Sequence, residues 1–234
     1  MFNKQIACLA ERIIDEGYVP PYEEACAIAR LPESDTLDLL TFAQKITRNF
    51  KGNRITLCAI LNAKSGFCTE DCAFCAQSSH HQTGIATYDL KSEDFMVTDA
   101  IGRRKAGATR FSMVTSGLML TEEEIAAICH AAERIKKDSD ITVCTSIGTL
   151  TPERARALKQ SGVTVYHHNL ETARSFFDQI CTTHEYDDDV NTLKLVKAEG
   201  FRVCSGGILG LGESWDQRVE LACTLRDLGV DGIP

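Results

Sequence analysis

The sequence predicts an α/β fold, a TIM-type (βα) barrel that is incomplete in this chain, with about five to six strands and an N-terminal helical extension. The pattern changes after residue 53 from helices alone to short apolar segments that alternate with longer amphipathic ones, as in parallel βα units. The inward positions of the apolar segments carry small, polar or sulfur-containing residues. A further apolar segment begins at Val230, and a closed barrel of about eight strands cannot be completed from the residues present, so we expect a fragment.

The first 53 residues predict helices only. An amphipathic pattern covers Lys4–Glu16, a short helix follows Pro20 and Pro21, and a third helix covers residues 35–51. We expect residues 1–53 to form a helical segment that packs on the barrel, and residues 54–234 to form the partial barrel.

The barrel segment contains five repeats of a strand followed by a helix. We predict strands at residues 55–63, 109–116, 141–148, 164–171 and 202–212. We predict helices at residues 92–107, 121–137, 152–162, 187–200 and 214–229. Thr121 and Thr151 match N-cap patterns, and Gly107 and Gly162 are typical helix stops.

Composition and charge argue against several classes of protein. Hydrophobic residues make up 44% and charged residues 25% of the chain, which is typical of a globular protein. The longest apolar runs are too short to cross a bilayer, so we expect no membrane partner. A formal net charge of -8 without a basic patch argues against a nucleic acid partner.

The compartment decides how the 11 cysteines are interpreted. The N-terminus lacks the basic and apolar regions of an export signal, so we expect a cytoplasmic protein. Thiols stay reduced in the cytoplasm, which favours metal ligation over disulfides.

The strongest chemical signal is a Cys-x3-Cys-x2-Cys segment formed by Cys68, Cys72 and Cys75, directly after the first predicted strand. Thiolates held so close together repel unless a cation neutralises them, which predicts a metal or iron–sulfur site. A structural zinc site would need a fourth ligand, for which His80 or His81 is available. In a four-iron cluster, three cysteines would leave one iron open to a small molecule.

Alternation of side chains along each strand predicts which residues face the barrel interior. Bulky branched residues fill ordinary barrel interiors, whereas the residues here are smaller and more polar, so we expect an interior that holds ligands. The inward residues of chemical interest are Ser112, Cys144, His167, Asn169, Glu171 and Cys204. Cys144 and Cys204 also fit an alternative interpretation as small buried hydrophobic residues.

The sequence resembles the biotin synthase family of the radical S-adenosylmethionine (SAM) superfamily. The cysteine motif, with Phe74 before its last cysteine, is similar to that of the whole superfamily. The narrower resemblance rests on Asn-Ala-Lys-Ser-Gly at residues 62–66, Cys-Ala-Gln-Ser-Ser at 75–79, His-Asn-Leu-Glu-Thr at 168–172 and the glycine-rich segment at 204–213. It runs from about residue 53 to the end of the chain.

The resemblance implies a radical SAM barrel and a sulfurtransferase that converts dethiobiotin to biotin. A 4Fe–4S cluster on Cys68, Cys72 and Cys75 would bind SAM at its open iron and release a 5′-deoxyadenosyl radical, so no side chain acts as catalytic acid or base. An auxiliary iron–sulfur cluster, of the 2Fe–2S type or a variant, would supply the sulfur. The implied partners are dethiobiotin, a flavodoxin- or ferredoxin-type electron donor and a second copy of the chain in a homodimer.

The resemblance also implies roles for individual residues. The auxiliary-cluster ligands correspond to Cys144, Cys204 and Ser112, which stands where the family commonly has cysteine. The SAM contacts correspond to Phe74, Thr115, Ser116, Asn169, Glu171 and Ile208. Asn169 and His167 correspond to substrate contacts, and His167 stands where many relatives have asparagine.

Other interpretations stay open at the level of the sequence. Ser112 and His167 allow a second function, a radical SAM enzyme of the same barrel group that assembles a metallocofactor. A third is a metal-binding protein without enzymatic activity. Cys58, on the first strand, is a substitute candidate for a cluster ligand, and the acidic run at residues 187–189 predicts a solvated helix start. We expect the other thiols to be packing or surface groups: Cys8, Cys26, Cys129, Cys181 and Cys223.

Overall fold

Five parallel strands form one sheet in the computed structural model, which describes residues 3–234, and their order in the sheet is their order along the chain. Every neighbouring pair is parallel, as expected for successive βα units. This arrangement confirms the predicted α/β barrel class. The strands are β1 (Cys58–Lys64), β2 (Arg110–Thr115), β3 (Thr142–Ser146), β4 (Val165–His167) and β5 (Arg202–Cys204).

The helices follow the predicted positions closely because their ends carry local capping signals. Thr121 forms a capping box with Glu124, Thr151 caps a helix with proline at its start, and Ser214 forms a capping box with Gln217. The helices are α1 (Lys4–Glu16), α2 (Tyr22–Ala29), α3 (Thr36–Lys51), α4 (Glu93–Lys105), α5 (Glu122–Asp138), α6 (Pro152–Gln160), α7 (Arg174–Phe177), α8 (Tyr186–Ala198) and α9 (Trp215–Asp227). The sequence patterns missed α7 and a short 3-10 helix at Glu33–Asp35.

The two faces of the sheet differ as the alternation of side chains predicts. One face is buried in the main apolar core together with side chains of α4 and α5; its strand residues include Leu61, Phe111, Met113, Val143 and Tyr166. On the opposite face of β1, the residues are exposed. The register aligns Ile60, Ser112, Cys144 and Val165 in one row across that face. The helices therefore cover one face and leave the other to the interior of the barrel.

Strands β4 and β5 end earlier than the predicted ranges 164–171 and 202–212. Glu171 has a φ of 60°, which an extended strand does not allow. The amide of Gly206 donates a hydrogen bond to the side-chain oxygen of Asn169 at 3.1 Å, instead of to a backbone carbonyl of β4 as in a continuing sheet. Beyond the strands only a single bridge joins Glu171 to Gly207. The sixth strand predicted from Val230 likewise appears as one bridge, between Cys204 and Gly232.

The N-terminal helices contact the barrel segment through α2 and α9. Arg30, directly after α2, pairs with Asp216 of α9 at 2.5 Å, and Arg226 donates to the carbonyl of Pro20 at 2.9 Å. Helices α1 and α3 pack together around a small separate cluster of Ile6, Ala10 and Phe42. Among residues 3–234, no helix is both long and apolar enough to cross a membrane.

The backbone of Glu171 packs directly against Gly207, so a side chain at position 207 tests this part of the fold. In Gly207→Ala the new Cβ would collide with the carbonyl oxygen of Glu171 and press on Leu221. We expect a loss of about 1–3 kcal/mol in the free energy of unfolding, measured by urea denaturation, because overpacking forces backbone shifts. Gly84→Ala is the matched control, since the Cβ that it adds would meet no atom within 4 Å. Equal stability of both variants would contradict this account.

Candidate active site

A cavity of about 400 Å³ opens at the carboxyl ends of the strands. Its walls come from the loop after β1, the ends of β2, β3 and β4, and the region around the start of α8. The predicted site residues that line it are Cys68, Cys72, Phe74, Cys75, Thr115, Ser116, His167, Asn169 and Glu171. Parallel barrels bind ligands at this end of their strands, so the cavity lies where chemistry is expected.

The loop that carries Cys68, Cys72 and Cys75 is held by its own backbone. Gly66 and Phe67 have φ angles of 83° and 57°, which turn the chain sharply before Cys68. The amide of Cys68 donates to the carbonyl of Gln77 at 3.2 Å, and the amide of Ser79 donates to the Cys68 carbonyl at 2.8 Å. The loop is therefore closed across its base, which directs its cysteines toward one side.

The thiol of Cys72 lies in a crowded, partly buried place. Burial raises its pKa above the usual range, and the neighbouring thiols of Cys181, Cys75 and Cys68 raise it further. A metal that binds here would displace the proton and neutralise the crowded sulfurs. The donor set of three neighbouring cysteines beside a cavity therefore fits an iron–sulfur cluster.

Cys181 is buried in the main core, which agrees with the expected packing thiol, and its thiol also lies against the cysteine loop. Its Sγ accepts a hydrogen bond from the Cys72 thiol at 3.8 Å, and its Sγ lies 3.3 Å from Nδ1 of His184. The Ala73 amide donates to the carbonyl of Ile180 at 2.8 Å, which ties the two segments together. No local motif marks Cys181, because its neighbour lies 109 residues away in sequence.

The two histidines considered as zinc ligands are engaged elsewhere. Nε2 of His80 donates to the carbonyl of Thr69 at 2.9 Å, and Nε2 of His81 donates to the carbonyl of Cys72 at 3.0 Å. Both imidazoles therefore support the loop backbone. Within the part of the chain that the structure describes, neither histidine belongs to a group of three potential ligand atoms within 4.8 Å, so the geometry gives no support to a zinc knuckle that uses them.

A chain of buried carboxylates and imidazoles links the cysteine loop to β4. Oε2 of Glu70 lies 2.7 Å from Nδ1 of His184, whose Nε2 lies 3.5 Å from Asp189. Oδ1 of Asp189 in turn lies 2.8 Å from Nε2 of His168. Hydrogen bonding to Asp189 and to Glu70 outweighs burial and raises the pKa of His184 to about 9. His184 is thus a buried cation between two carboxylates at the cavity wall.

Asp189 corrects the expectation that residues 187–189 form a solvated helix start. Only 4% of Asp189 is exposed, and it bonds both His168 and His184. Asp187 does remain exposed, where it pairs with Arg174. A helical turn projects neighbouring residues in different directions, so one acidic run serves both the surface and the site.

His167, Asn169 and Glu171 form a second connected group at the end of β4. Nε2 of His167 donates to Oδ1 of Asn169 at 2.8 Å, and Nδ2 of Asn169 donates to Oε2 of Glu171 at 3.3 Å. Burial raises the pKa of Glu171 to about 6 and lowers the pKa of His167. The Asn169 amide is therefore fixed between its neighbours, and the Glu171 carboxylate faces the cavity with spare acceptor capacity.

Ser112, Cys144 and Cys204 do not line this cavity but lie on the inward face of the sheet. Ser112 and Cys144 are both only 4% exposed. The Ser112 hydroxyl has no hydrogen-bond partner, which is costly for a buried polar atom. Burial raises the pKa of the Cys144 thiol to about 12, with a further contribution from Cys58. An unpaired hydroxyl beside buried thiols fits a ligand bound on this face.

The remaining predicted SAM contacts differ in their surroundings. Ser116 donates to the carbonyl of Gly66 at 2.7 Å, whereas the buried hydroxyl of Thr115 has no partner. Ile208 is 38% exposed and does not line the cavity, but its amide donates to the carbonyl of Glu171 at 2.8 Å. The structure therefore relates Ile208 to the site through its backbone.

Solved structures with the same fold include a synthase and a hydrogenase maturase. Methylornithine synthase (PylB) superimposes with a TM-score of 0.83 at 18% sequence identity, covering 96% of this chain and 66% of that one. The FeFe-hydrogenase maturase HydG from Carboxydothermus hydrogenoformans superimposes with a TM-score of 0.79 at 19% sequence identity, covering 99% of this chain and 56% of that one. At these identities the similarity establishes the fold alone.

Sequence comparison is more specific. The family model described as the radical SAM superfamily matches residues 63–224. Biotin synthase of Syntrophus aciditrophicus (strain SB) is 51% identical over all of this chain, which spans 72% of that protein. Biotin synthase of Nitratidesulfovibrio vulgaris (strain DSM 19637 / Miyazaki F) is 54% identical over 91% of this chain and 61% of its own length. The family model and the relatives agree with the five-stranded parallel sheet and with the three-cysteine loop beside the carboxyl ends of its strands. This chain belongs to the biotin synthase family of radical SAM enzymes.

Proposed function

We propose that this chain carries the catalytic barrel of a biotin synthase, which inserts sulfur into dethiobiotin to form biotin. The observation that carries the proposal is the pairing of two sites. The cysteine loop shares a cavity with Asn169 and Glu171, and the buried thiol of Cys144 and the half-buried thiol of Cys204 lie on the inward face of the same sheet. Radical SAM chemistry followed by sulfur insertion needs both.

Membership of the radical SAM superfamily implies a 4Fe–4S cluster and SAM. In our proposal Cys68, Cys72 and Cys75 hold the cluster, and because the motif itself supplies only three cysteines, one iron is left for SAM. When bound, the cluster and SAM supply a 5′-deoxyadenosyl radical. The chain's own side chains orient the cofactor and exclude water, and none acts as an acid or base.

The side chains around the cavity suit the parts of SAM. The Glu171 carboxylate can accept hydrogen bonds from both ribose hydroxyls, and Asn169, held by His167, can orient the ribose and the substrate. Phe74 offers an apolar surface to the adenine, and Thr115 and Ser116, which line the same cavity, are assigned to the methionine end. Ile208 supports Glu171 through its backbone amide.

The auxiliary cluster belongs on the inward face in this proposal. Cys144 and Cys204 are its thiolate ligands, and Ser112, whose buried hydroxyl has no hydrogen-bond partner, stands where the resemblance implies a third cysteine. Serine instead of cysteine favours a 2Fe–2S variant or another cluster composition. Its role is to donate sulfur to the substrate.

The proposal extends to the organisation of the protein. We propose that residues 54–234 form the barrel and that the residues before it form a helical segment, which contacts the barrel through α2 and α9. We infer a cytoplasmic homodimer that receives electrons from a flavodoxin- or ferredoxin-type donor. The ion pair between Arg30 and Asp216 is exposed and contributes little by itself to holding the segments together.

The affinity for SAM should depend on the charge of Glu171. The carboxylate is ionised above its pKa of about 6, and the ionised form accepts the two ribose hydroxyls more strongly, since both of its oxygens are charged acceptors. As the pH falls from about 8 to about 5, the ionised fraction falls to about one tenth, so the Kd for SAM should rise about tenfold. Glu171→Gln should bind more weakly at pH 8 and lose this pH dependence. Isothermal titration of the reconstituted protein checks this, and an unchanged pH profile in Glu171→Gln would count against the assignment.

Loss of a cluster ligand should abolish SAM cleavage. We expect Cys72→Ala to form no 5′-deoxyadenosine with dithionite and SAM after anaerobic reconstitution, because the cluster loses one of its three thiolates. Cys8→Ala, an exposed thiol on α1, is the control and should cleave SAM at the normal rate. Normal cleavage by Cys72→Ala would refute the central assignment.

Loss of an auxiliary ligand should separate cleavage from sulfur insertion. Cys204→Ala should still form 5′-deoxyadenosine but yield no biotin from dethiobiotin, measured by mass spectrometry. Cys223→Ala, a thiol on α9, should retain both activities. A wild-type protein that cleaves SAM but forms no biotin would sink the proposed function and favour assembly of a metallocofactor.

A further inference from the structure

We propose that Cys58 supplies the third thiolate of the auxiliary cluster, in place of the residue at position 112. This inference rests on the proposed function and names a ligand that the resemblance to the family does not assign. Cysteine is absent from the expected position on β2 and present on the neighbouring strand β1.

Cys58 lies on the inward face of the sheet. Along β1, Leu61 and Ala63 are buried in the main core under the helices, whereas Cys58 and Ile60 alternate with the helix-facing residues and are exposed. Ile60 lines the cavity at the carboxyl ends of the strands. Residues two apart on a strand share a face, so Cys58 faces the same interior as Ile60.

The register puts Cys58 beside the other proposed ligands. Cys58 pairs with Arg110, and Ile60 pairs with Ser112, which in turn pairs with Cys144. Cys58 is therefore one inward position from the row that contains Ser112 and Cys144. The Cys58 thiol also contributes to raising the pKa of Cys144 and of Cys204, which agrees with a place on the same face of the sheet.

Arg110 carries a positive charge that lowers the pKa of all three thiols. Its guanidinium interacts with Cys58, with Cys144 and with Cys204. Arg202 adds a second positive charge near Cys144. Three thiolates and their inorganic sulfides carry considerable negative charge, which these cations would offset.

The spacing of the three sulfurs suits a cluster better than a single ion. Two thiolates on one zinc ion, each about 2.3 Å from the metal, cannot lie more than about 4.6 Å apart. Among the residues that the structure describes, only Cys72, Cys181 and His184 bring potential ligand atoms within 4.8 Å of one another as a group of three. Cys58, Cys144 and Cys204 are more widely spaced, as ligands to different irons would be.

The test isolates the auxiliary cluster. A background variant, Cys68→Ala with Cys72→Ala and Cys75→Ala, removes the first cluster. After anaerobic reconstitution of the full chain, iron, acid-labile sulfide and the visible absorption spectrum are measured. Adding Cys58→Ala should remove most of the iron and sulfide, whereas adding Ser112→Ala should leave both unchanged. Adding Cys129→Ala, on α5, is the matched control and should also change neither.

A second substitution distinguishes ligation from a structural role. Cys58→Ser keeps a potential oxygen ligand, so it should retain part of the iron but shift the sulfur-to-iron absorption bands. The assignment of Cys58 would be overturned if Cys58→Ala kept normal iron, sulfide and spectrum, or if Ser112→Ala lost the cluster. Either result would leave the auxiliary cluster and the proposed function untouched. If Cys58→Ala fails to fold by circular dichroism, an unshifted spectrum in Cys58→Ser would overturn the assignment. A background variant that binds no iron would overturn this inference and the auxiliary cluster together, while SAM cleavage by the unmodified protein would still stand.

Discussion

The alternation of side chains across a parallel sheet is the constraint on which the rest of this structure depends. Because α4 and α5 cover one face, residues such as Phe111 and Met113 must be apolar and completely buried. Their neighbours Ser112 and Val114 then face the interior and are free of that packing requirement. The helical layer thus supplies the stability of the fold, and the inward face can carry thiols, hydroxyls and arginines that a filled core would exclude. This separation explains how one small sheet can support the two sites that we propose.

At the rim, the site is organised by charge pairs that join distant segments. Glu70 belongs to the cysteine loop, His184 precedes α8, and Asp189 lies in the first turns of α8 and reaches His168 at the end of β4. Buried charges are costly unless they are paired and hydrogen-bonded, so this chain of contacts fixes its members in one arrangement. The cysteine loop is consequently held against β4, and the cavity between them keeps its shape.

The sequence was sufficient for the fold class and for most element positions, because periodicity and capping are local signals. The helix at Lys4–Glu16 matches its predicted bounds, and all five predicted strands are present. The predicted strands β4 and β5 extend past the observed ends of these strands. The φ of 60° at Glu171 depends on contacts with residues 206–208, which no local sequence pattern records. The same limitation hid Cys181, His184 and the burial of Asp189, whose partners lie far away in sequence. The motif residues were recognised by spacing and resemblance, and their individual roles remain predictions.

The central claim is that the loop of Cys68, Cys72 and Cys75 carries a four-iron cluster with one iron available to SAM. Electron paramagnetic resonance of the reconstituted, dithionite-reduced protein, recorded without and with SAM, tests this most directly. The account predicts the signal of a reduced 4Fe–4S cluster whose g-values change when SAM binds to the open iron. A protein that contains zinc without acid-labile sulfide, or a cluster signal that SAM leaves unchanged, would contradict it.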